Sequence, residues 1–226
     1  MSNPIPFRGL DERGDVKIYD AGDLPHWRQD GCTYFVTLRL ADSLPQSVVF
    51  KLKEERHCRL TGNGIVPSAA DWKSQFAKLS PNKQREFERT IAKNLNFRLD
   101  CVLGCCALRE KEPMQLKAFA LEFFHGKRVW TGDDVVMPNH VYVLLMPTKD
   151  YECERVLKSI KGYSAKEVNR SLRTNGTLLQ RESYDHIVRD VNQLERFQKD
   201  IRANPEKAIL KQRDYRLSEE AIYELA

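Results

Sequence analysis

Residues 33–40, TYFVTLRL, bring β-branched and aromatic side chains together over eight positions. That pattern predicts a strand. It follows Gly31-Cys32 and an irregular arm over residues 1–31. Beyond Leu44-Pro45 the period changes. VVFKLKEER (48–56) reads as a helix with proline near its first turn. LTGNGIVPS (60–68) reads as a loop. Residues 82–96 read as a second charged helix, with Phe87, Ile91 and Leu95 one turn apart. Residues 44–100 therefore look like an inserted helical segment.

Residues 113–124, PMQLKAFALEFF, are expected to be helical, with Leu116, Phe119 and Phe123 on one face and His125-Gly126 as the stop. KRVWT (127–131) predicts a short strand and Gly132-Asp133 a turn. Residues 134–146 predict a long apolar strand, interrupted at Pro138-Asn139. Proline cannot donate to a sheet ladder, so an edge or a bulge is expected there. Residues 153–172 read as a basic helix, Asn175-Gly176 as a turn and 184–189 as extended chain. Asp190 followed by Gln193 has the form of an N-cap with a reciprocal partner. Leu194, Phe197 and Ile201 then follow at helical spacing over 191–203, with Pro205 as the limit. The order strand, helix, strand, strand, helix, with one further helix, predicts an α+β domain with an antiparallel sheet. The whole chain, 1–226, reads as one domain with its core over 101–210.

No apolar run approaches the ~18 residues needed to span a bilayer, so no membrane partner is expected. The first residues, MSNPIPFRGLDERGD, are polar and unlike a secretory signal, which points to the cytoplasm. Of the six cysteines, only Cys101, Cys105 and Cys106 cluster. Their spacing is not that of a zinc site, and reduced thiols are expected. The net charge of +5 is unevenly placed. Residues 155–213 hold 14 basic and 7 acidic residues, whereas the rest of the chain holds 23 basic and 25 acidic. A basic segment on an otherwise neutral chain fits either a phosphate-binding footprint or a solvated helix face.

The candidate chemistry centres on VVMPNHVYVLLMP (135–147). Strand side chains alternate, so His140 and Tyr142 point to one face. Two histidines so spaced would hold a divalent metal beside a scissile phosphate. Here the second position is a tyrosine. Five pieces occur in order: YFVTLRLADSLPQ (34–46), VVMPNHVYVLLMP (135–147), LKSIKGYSAKEVNR (157–170), LQRESYDHIVRD (179–190) and QLERFQKDIRANPEKA (193–208). Together they resemble the REP-associated tyrosine transposases, single-tyrosine HUH enzymes of the insertion-sequence-200-like group. The resemblance covers residues 17–210.

That resemblance implies a ferredoxin-like α+β fold and a bound Mg²⁺ or Mn²⁺. It implies hairpin-bearing single-stranded DNA as substrate, attacked by a helix-borne tyrosine that forms a 5′-phosphotyrosine link. By position, His140 matches the first metal ligand and Tyr142 stands in the second. Asp200 occupies the nucleophile position, in Asp200-Ile201-Arg202-Ala203-Asn204-Pro205. Asn204, four residues later on the same helix face, matches the polar residue that completes the metal site. Leu179 replaces a usual tryptophan, and Asp134 sits where an aromatic residue is usual. With two positions substituted, cleavage is expected to be impaired. A neutral phenol, with a pKa near 10, is a poor ligand for Mg²⁺. A carboxylate at 200 suits a hard cation better, and as a nucleophile it would give a labile acyl phosphate.

Lys158, Lys161, Lys166 and Arg170, with Arg189, Arg202 and Lys207, are the expected backbone contacts to DNA. Tyr163 and Tyr184 are candidates for stacking on unpaired bases, Tyr184 equally for packing. His186 is expected to be structural or phosphate-facing, and His26 with Trp27 to contact DNA. Two alternatives stand beside this reading. One is a metal-dependent nickase or hydrolase with a rearranged site. The other is a non-catalytic structural or partner-binding relic. A monomer or a homodimer fits all three.

Overall fold

The computed structural model describes residues 5–19, 26–41, 43–100, 108, 116, 118–219 and 223–224. Two compact units emerge: Met1–Ala41 with Cys106–Ala226, and Asp42–Cys105.

In the first unit, β1 (Ile5–Pro6), β2 (Lys17–Tyr19) and β3 (His26–Arg28) precede β4 (Tyr34–Arg39), the strand expected from TYFVTLRL. The second unit follows as three helices: α1 (Gln46–Gly62), α2 (Trp72–Ala77) and α3 (Pro81–Asp100). Pro81 takes the first helical position, where its missing N–H costs nothing. The loop expected over 60–68 begins only after Gly62, and α2 was not expected. Glu55 of α1 accepts from Asn94 and Arg98 of α3 at 3.0 and 3.1 Å. Phe76 of α2 meets Phe87 of α3 edge-on, 5.1 Å between centroids.

The first unit resumes with a π-helical turn over Ala118–Glu122. Leu116 and this turn are what the described residues show of the helix expected over 113–124; residues 113–115 and 117 lie outside them. Cys101, Cys105 and Cys106 lie outside them too. Gly126 at φ +69° closes the segment, a left-handed conformation that glycine adopts without strain.

Two expectations about the next stretch are corrected. Val129–Val136 is one strand, β5, and His140–Pro147 is another, β6. Gly132-Asp133 is not a turn but part of a β-bulge: β5 takes three steps from Thr131 to Asp134 while β6 takes two from Leu145 to Val143. Pro138-Asn139 is not a break in one strand. It is the two-residue loop of the β5–β6 hairpin, closed by the Met137 N–H donating to the His140 carbonyl at 2.8 Å. Proline's fixed φ suits a turn position, and its missing donor is not needed there.

The helix α4 spans Cys153–Leu172, β7 spans Tyr184–Ile187, α5 spans Val191–Lys207 and β8 spans Arg216–Ser218. The two residues of β9 (Tyr223–Glu224) pair with β1. Asp190 caps α5 by accepting the Gln193 N–H at 2.7 Å, and the Gln193 side chain accepts the Arg189 N–H at 2.7 Å. Pro205 does not end α5, which runs on to Lys207. Near a C-terminus the proline removes one ladder bond, and its own carbonyl accepts the Leu210 N–H at 3.0 Å.

The sheet runs β7-β4-β6-β5-β8, and every adjacent pair is antiparallel. Numbered among themselves, the first four strands lie in the order 4-1-3-2. That is the split βαβ order of a ferredoxin-like sheet, with β8 added at one edge. The fold is α+β, as expected. Val36, Leu38, Val141, Val143 and Leu145 face α4 and form a core with Val156 and Ile160. Phe35, Val135, Tyr142 and Leu144 face the other way, toward Leu194 and Ile201 of α5.

Candidate functional site

His140 opens β6, immediately after the hairpin loop. Residues directly opposite in an antiparallel pair share a sheet face. The register sets Arg39 opposite His140 and Thr37 opposite Tyr142 on one side, and Val135 opposite Tyr142 on the other. Arg39, His140 and Tyr142 therefore meet on the α5 face, at the end of the two central strands.

His140 is only 1% exposed. Its Nδ1 lies 2.7 Å from Asn139 Oδ1. An amide oxygen accepts, so Nδ1 carries the proton and Nε2 the lone pair. Asn204 of α5 neighbours the ring and favours its protonated form, although Nε2 has no hydrogen bond of normal geometry among the described residues. Burial pushes the imidazole pKa down to about 3, and the Arg39 cation adds to the effect. The ring is neutral at pH 7.

Tyr142 is 3% exposed. Its ring lies 4.5 Å from that of His140 and 5.3 Å from that of Phe35. Phe35 in turn stacks on Phe197 of α5 at 4.2 Å. The phenol is thus wedged into an aromatic column. Burial lowers the pKa of Arg39, partly offset by Glu182. Arg39 Nε is buried with no hydrogen bond among the described residues.

This donor set is poor for a hard dication. It offers one imidazole lone pair, a neutral phenol and an amide, and a guanidinium faces them across the strand pair. A cation beside a cation at low dielectric is strongly disfavoured. Among the described residues, no three His, Cys, Asp or Glu side chains are grouped to hold a metal.

On α5 the helical period separates the two expected positions. Asn204 and Ile201 are buried, whereas Asp200 is exposed. Asp200 Oδ1 accepts from Lys207 Nζ at 3.2 Å, two turns further along the same stripe. Arg202 reaches back to the sheet, its Nη2 3.1 Å from Asp133 Oδ2, with Glu219 at 3.6 Å. Asp133 lies two residues before Val135 and shares its face by alternation. Burial pushes the Asp133 pKa up, against the pull of Arg202.

The expected DNA contacts scatter over several surfaces. Lys158, Lys166 and Arg170 are exposed on α4, Arg170 paired with Glu167. Lys161 is half-buried and donates to the Arg181 carbonyl at 2.8 Å; burial lowers its pKa to about 8. Tyr163 packs among Phe119, Phe123 and Phe124. Tyr184 packs against the α5-side core. Arg189 is exposed beside the α5 cap. His186 lies 3.1 Å from Gln193 and meets Phe197 edge-on. Trp27 is exposed, while its neighbour His26 pairs with Asp185 at 2.8 Å. Arg28 bridges Asp185 and Glu154. Burial alone would raise the Asp185 pKa, but the hydrogen bonds from His26 and Arg28 hold it below the usual range.

Sequence reasoning missed Arg39 and Asp133. The alternation Phe35, Thr37, Arg39 was a signal for the first, since it puts all three on one face. Asp133 shares a face with Val135 by the same alternation, a signal hidden by the turn that Gly132-Asp133 suggests.

No family model and no curated protein matches the chain. Among solved structures it is similar to a REP-associated tyrosine transposase bound to a REP hairpin, at 12% identity and a TM-score of 0.40, over 82% of this chain and 73% of that one. Among the described residues, no helix is long and apolar enough to cross a membrane.

Proposed function

We propose that this chain binds hairpin-forming single-stranded DNA, in the manner of the transposases its sequence pieces resemble, and that strand cleavage is impaired. The observation that carries the second half is the surroundings of His140. Its Nε2 offers a single imidazole lone pair, and Arg39 faces the ring across the strand pair. Tyr142, in the place of a second ligand, is held in an aromatic column. These residues do not fit Mg²⁺ or Mn²⁺. Asp200 is engaged by Lys207 on the exposed side of α5, a poor starting point for in-line attack beside His140. The first half is supported by the five sequence pieces and by the basic excess after residue 155. What remains is backbone recognition, with Arg189 open to a phosphate chain beside the α5 cap and Lys158 and Lys166 open on the α4 side.

The test is incubation of purified protein with a labelled hairpin oligonucleotide and Mn²⁺, resolved on a denaturing gel. The native chain is expected to retain the oligonucleotide in a salt-dependent way and to give no covalent adduct. The double variant Tyr142→His with Asp200→Tyr probes the two substituted positions. An adduct from the native chain would overturn the impaired-cleavage reading, and no binding at low salt would overturn the DNA reading.

A further inference from the structure

The α4 side of the sheet carries an aromatic surface that the His140 site does not use. Phe123 is 42% exposed, unusual for so large an apolar side chain just after a buried turn. Its ring stacks on that of Tyr163 at 4.3 Å between centroids and 23° between planes. Lys127 Nζ lies 4.3 Å over the same ring. Two groups that close do not fit on one face, so the Phe123 ring lies between them. Phe124, beneath, is buried and meets both rings edge-on. Phe123 packs on Tyr163 and Phe124 and still leaves 42% of its surface open to solvent.

The surroundings are cationic. Arg128 lies over Phe124 and Tyr151 and donates to Ser159 Oγ at 2.8 Å. Along α4, Ser159, Tyr163, Lys166 and Arg170 follow at intervals of four, three and four and so form one ridge. Lys127, Arg128 and Lys166 have no carboxylate partner among the described residues, whereas Arg170 is paired with Glu167. The ridge from 159 to 170 is about 16 Å long at 1.5 Å per residue. It therefore places a ring pair at its middle and cations on either side.

We propose that Phe123 and Tyr163 form a stacking platform for an unpaired base of single-stranded nucleic acid, with Lys127, Arg128 and Lys166 taking the adjacent phosphates. A base is a flat π-surface on a polyanion, and the patch is complementary to both parts. Lys127 is the mobile member. Its four-carbon stem swings off the ring, a base takes the vacated face, and the ammonium moves to the backbone. This surface lies on the opposite side of the sheet from His140, so a hairpin bound on the α5 side is not its occupant. The inference rests on the DNA reading above and names a second contact, to the unpaired strand beside the hairpin.

The experiment measures binding of full-length protein to two fluorescent oligonucleotides by anisotropy at low salt. One is a blunt hairpin; the other is the same hairpin with an unpaired thymidine tail. Phe123→Ser is the probe variant, since the side chain is already exposed, and its thermal midpoint is checked against the native chain. The native protein is expected to bind the tailed probe more tightly. Phe123→Ser is expected to lose roughly tenfold on the tailed probe alone, the scale of one base–aromatic stack. As a second readout, a tail carrying 5-iodouracil is expected to photo-crosslink to Phe123 or Tyr163. Equal binding of the tailed probe by native and variant protein, with no crosslink on the turn or α4, would sink the platform and leave hairpin binding standing. Failure of the native protein to bind either probe would sink the DNA reading and the platform with it.

Discussion

The two faces of the sheet are built from the same strands, yet they hold different kinds of interior. On the α4 side, Val36, Leu38, Val141, Val143 and Leu145 meet Val156 and Ile160, and the central contacts are aliphatic. On the α5 side, Phe35 and Tyr142 share the space with His140, Arg39, Asp133 and Asn204. Alternation along β4 and β6 sends successive residues to opposite faces, so one stretch of sequence writes both. The first face holds the fold together. The second carries polar groups that are costly to bury, gathered where two central strands end beneath a helix. Departures from a clean apolar pattern concentrate at functional sites; on the α4 side the buried charges are paired, Arg28 with Asp185 and Glu154, whereas on the α5 side Arg39 Nε and His140 Nε2 are buried without a hydrogen bond among the described residues.

The contrast is broken most sharply by cavity formation. Leu38→Ala, on the aliphatic face, is expected to lower stability by between about 2.7 and 5 kcal/mol, read from chemical denaturation. A loss under about 1 kcal/mol would mean that this face does not carry the core. The polar face is tested by acid. The His140 pKa is depressed in the folded state, to about 3, so the unfolded chain binds more protons below its ordinary value near 6.5. Stability is therefore fully present above pH 6.5 and is lost as pH falls toward 3. At pH 5 the expected loss is roughly 2 kcal/mol relative to neutral pH. His186, also depressed by burial, acts in the same direction, so the measurement is the difference between native protein and His140→Gln. The variant is expected to have a flatter acid limb, and parallel limbs would refute the assignment. The smallest effect is expected on the outer side of α5. Asp200→Asn removes an exposed pair with Lys207 and is expected to change stability by less than about 1 kcal/mol.

Much of the fold was legible in local pattern. TYFVTLRL marked β4, and the cap at Asp190 with Gln193 marked the start of α5. The breaks in the central hairpin are the reverse of what their residues suggest. Gly132-Asp133 looks like a turn and is a bulge; Pro138-Asn139 looks like a bulge and is the turn. Glycine and proline signal that a ladder is interrupted, but only the long-range register says how. The site was legible in part for the same reason. His140 and Tyr142 sit two apart on one strand, so their shared face follows from period two. Asp200 and Asn204, placed on one helix face by spacing, separate in practice because the edge of a buried stripe is narrow. Arg39 comes from a strand about a hundred residues away, and no local pattern pairs it with His140.

The split order of the sheet has a consequence for how the chain is made. Arg39 ends β4, and its partner His140 begins β6 only after the helical unit has passed. The cost of closing so long a loop grows only logarithmically, about 0.6 kcal/mol for each doubling, so the finished protein is little burdened by the intervening helices. The growing chain is. At about 5–20 residues per second, β4 leaves the ribosome roughly 5–20 s before β6 exists. Through that interval a short run rich in β-branched and aromatic residues has both edges open. The helices of Asp42–Cys105, whose contacts are local, can form meanwhile, whereas β4 waits for the hairpin to arrive.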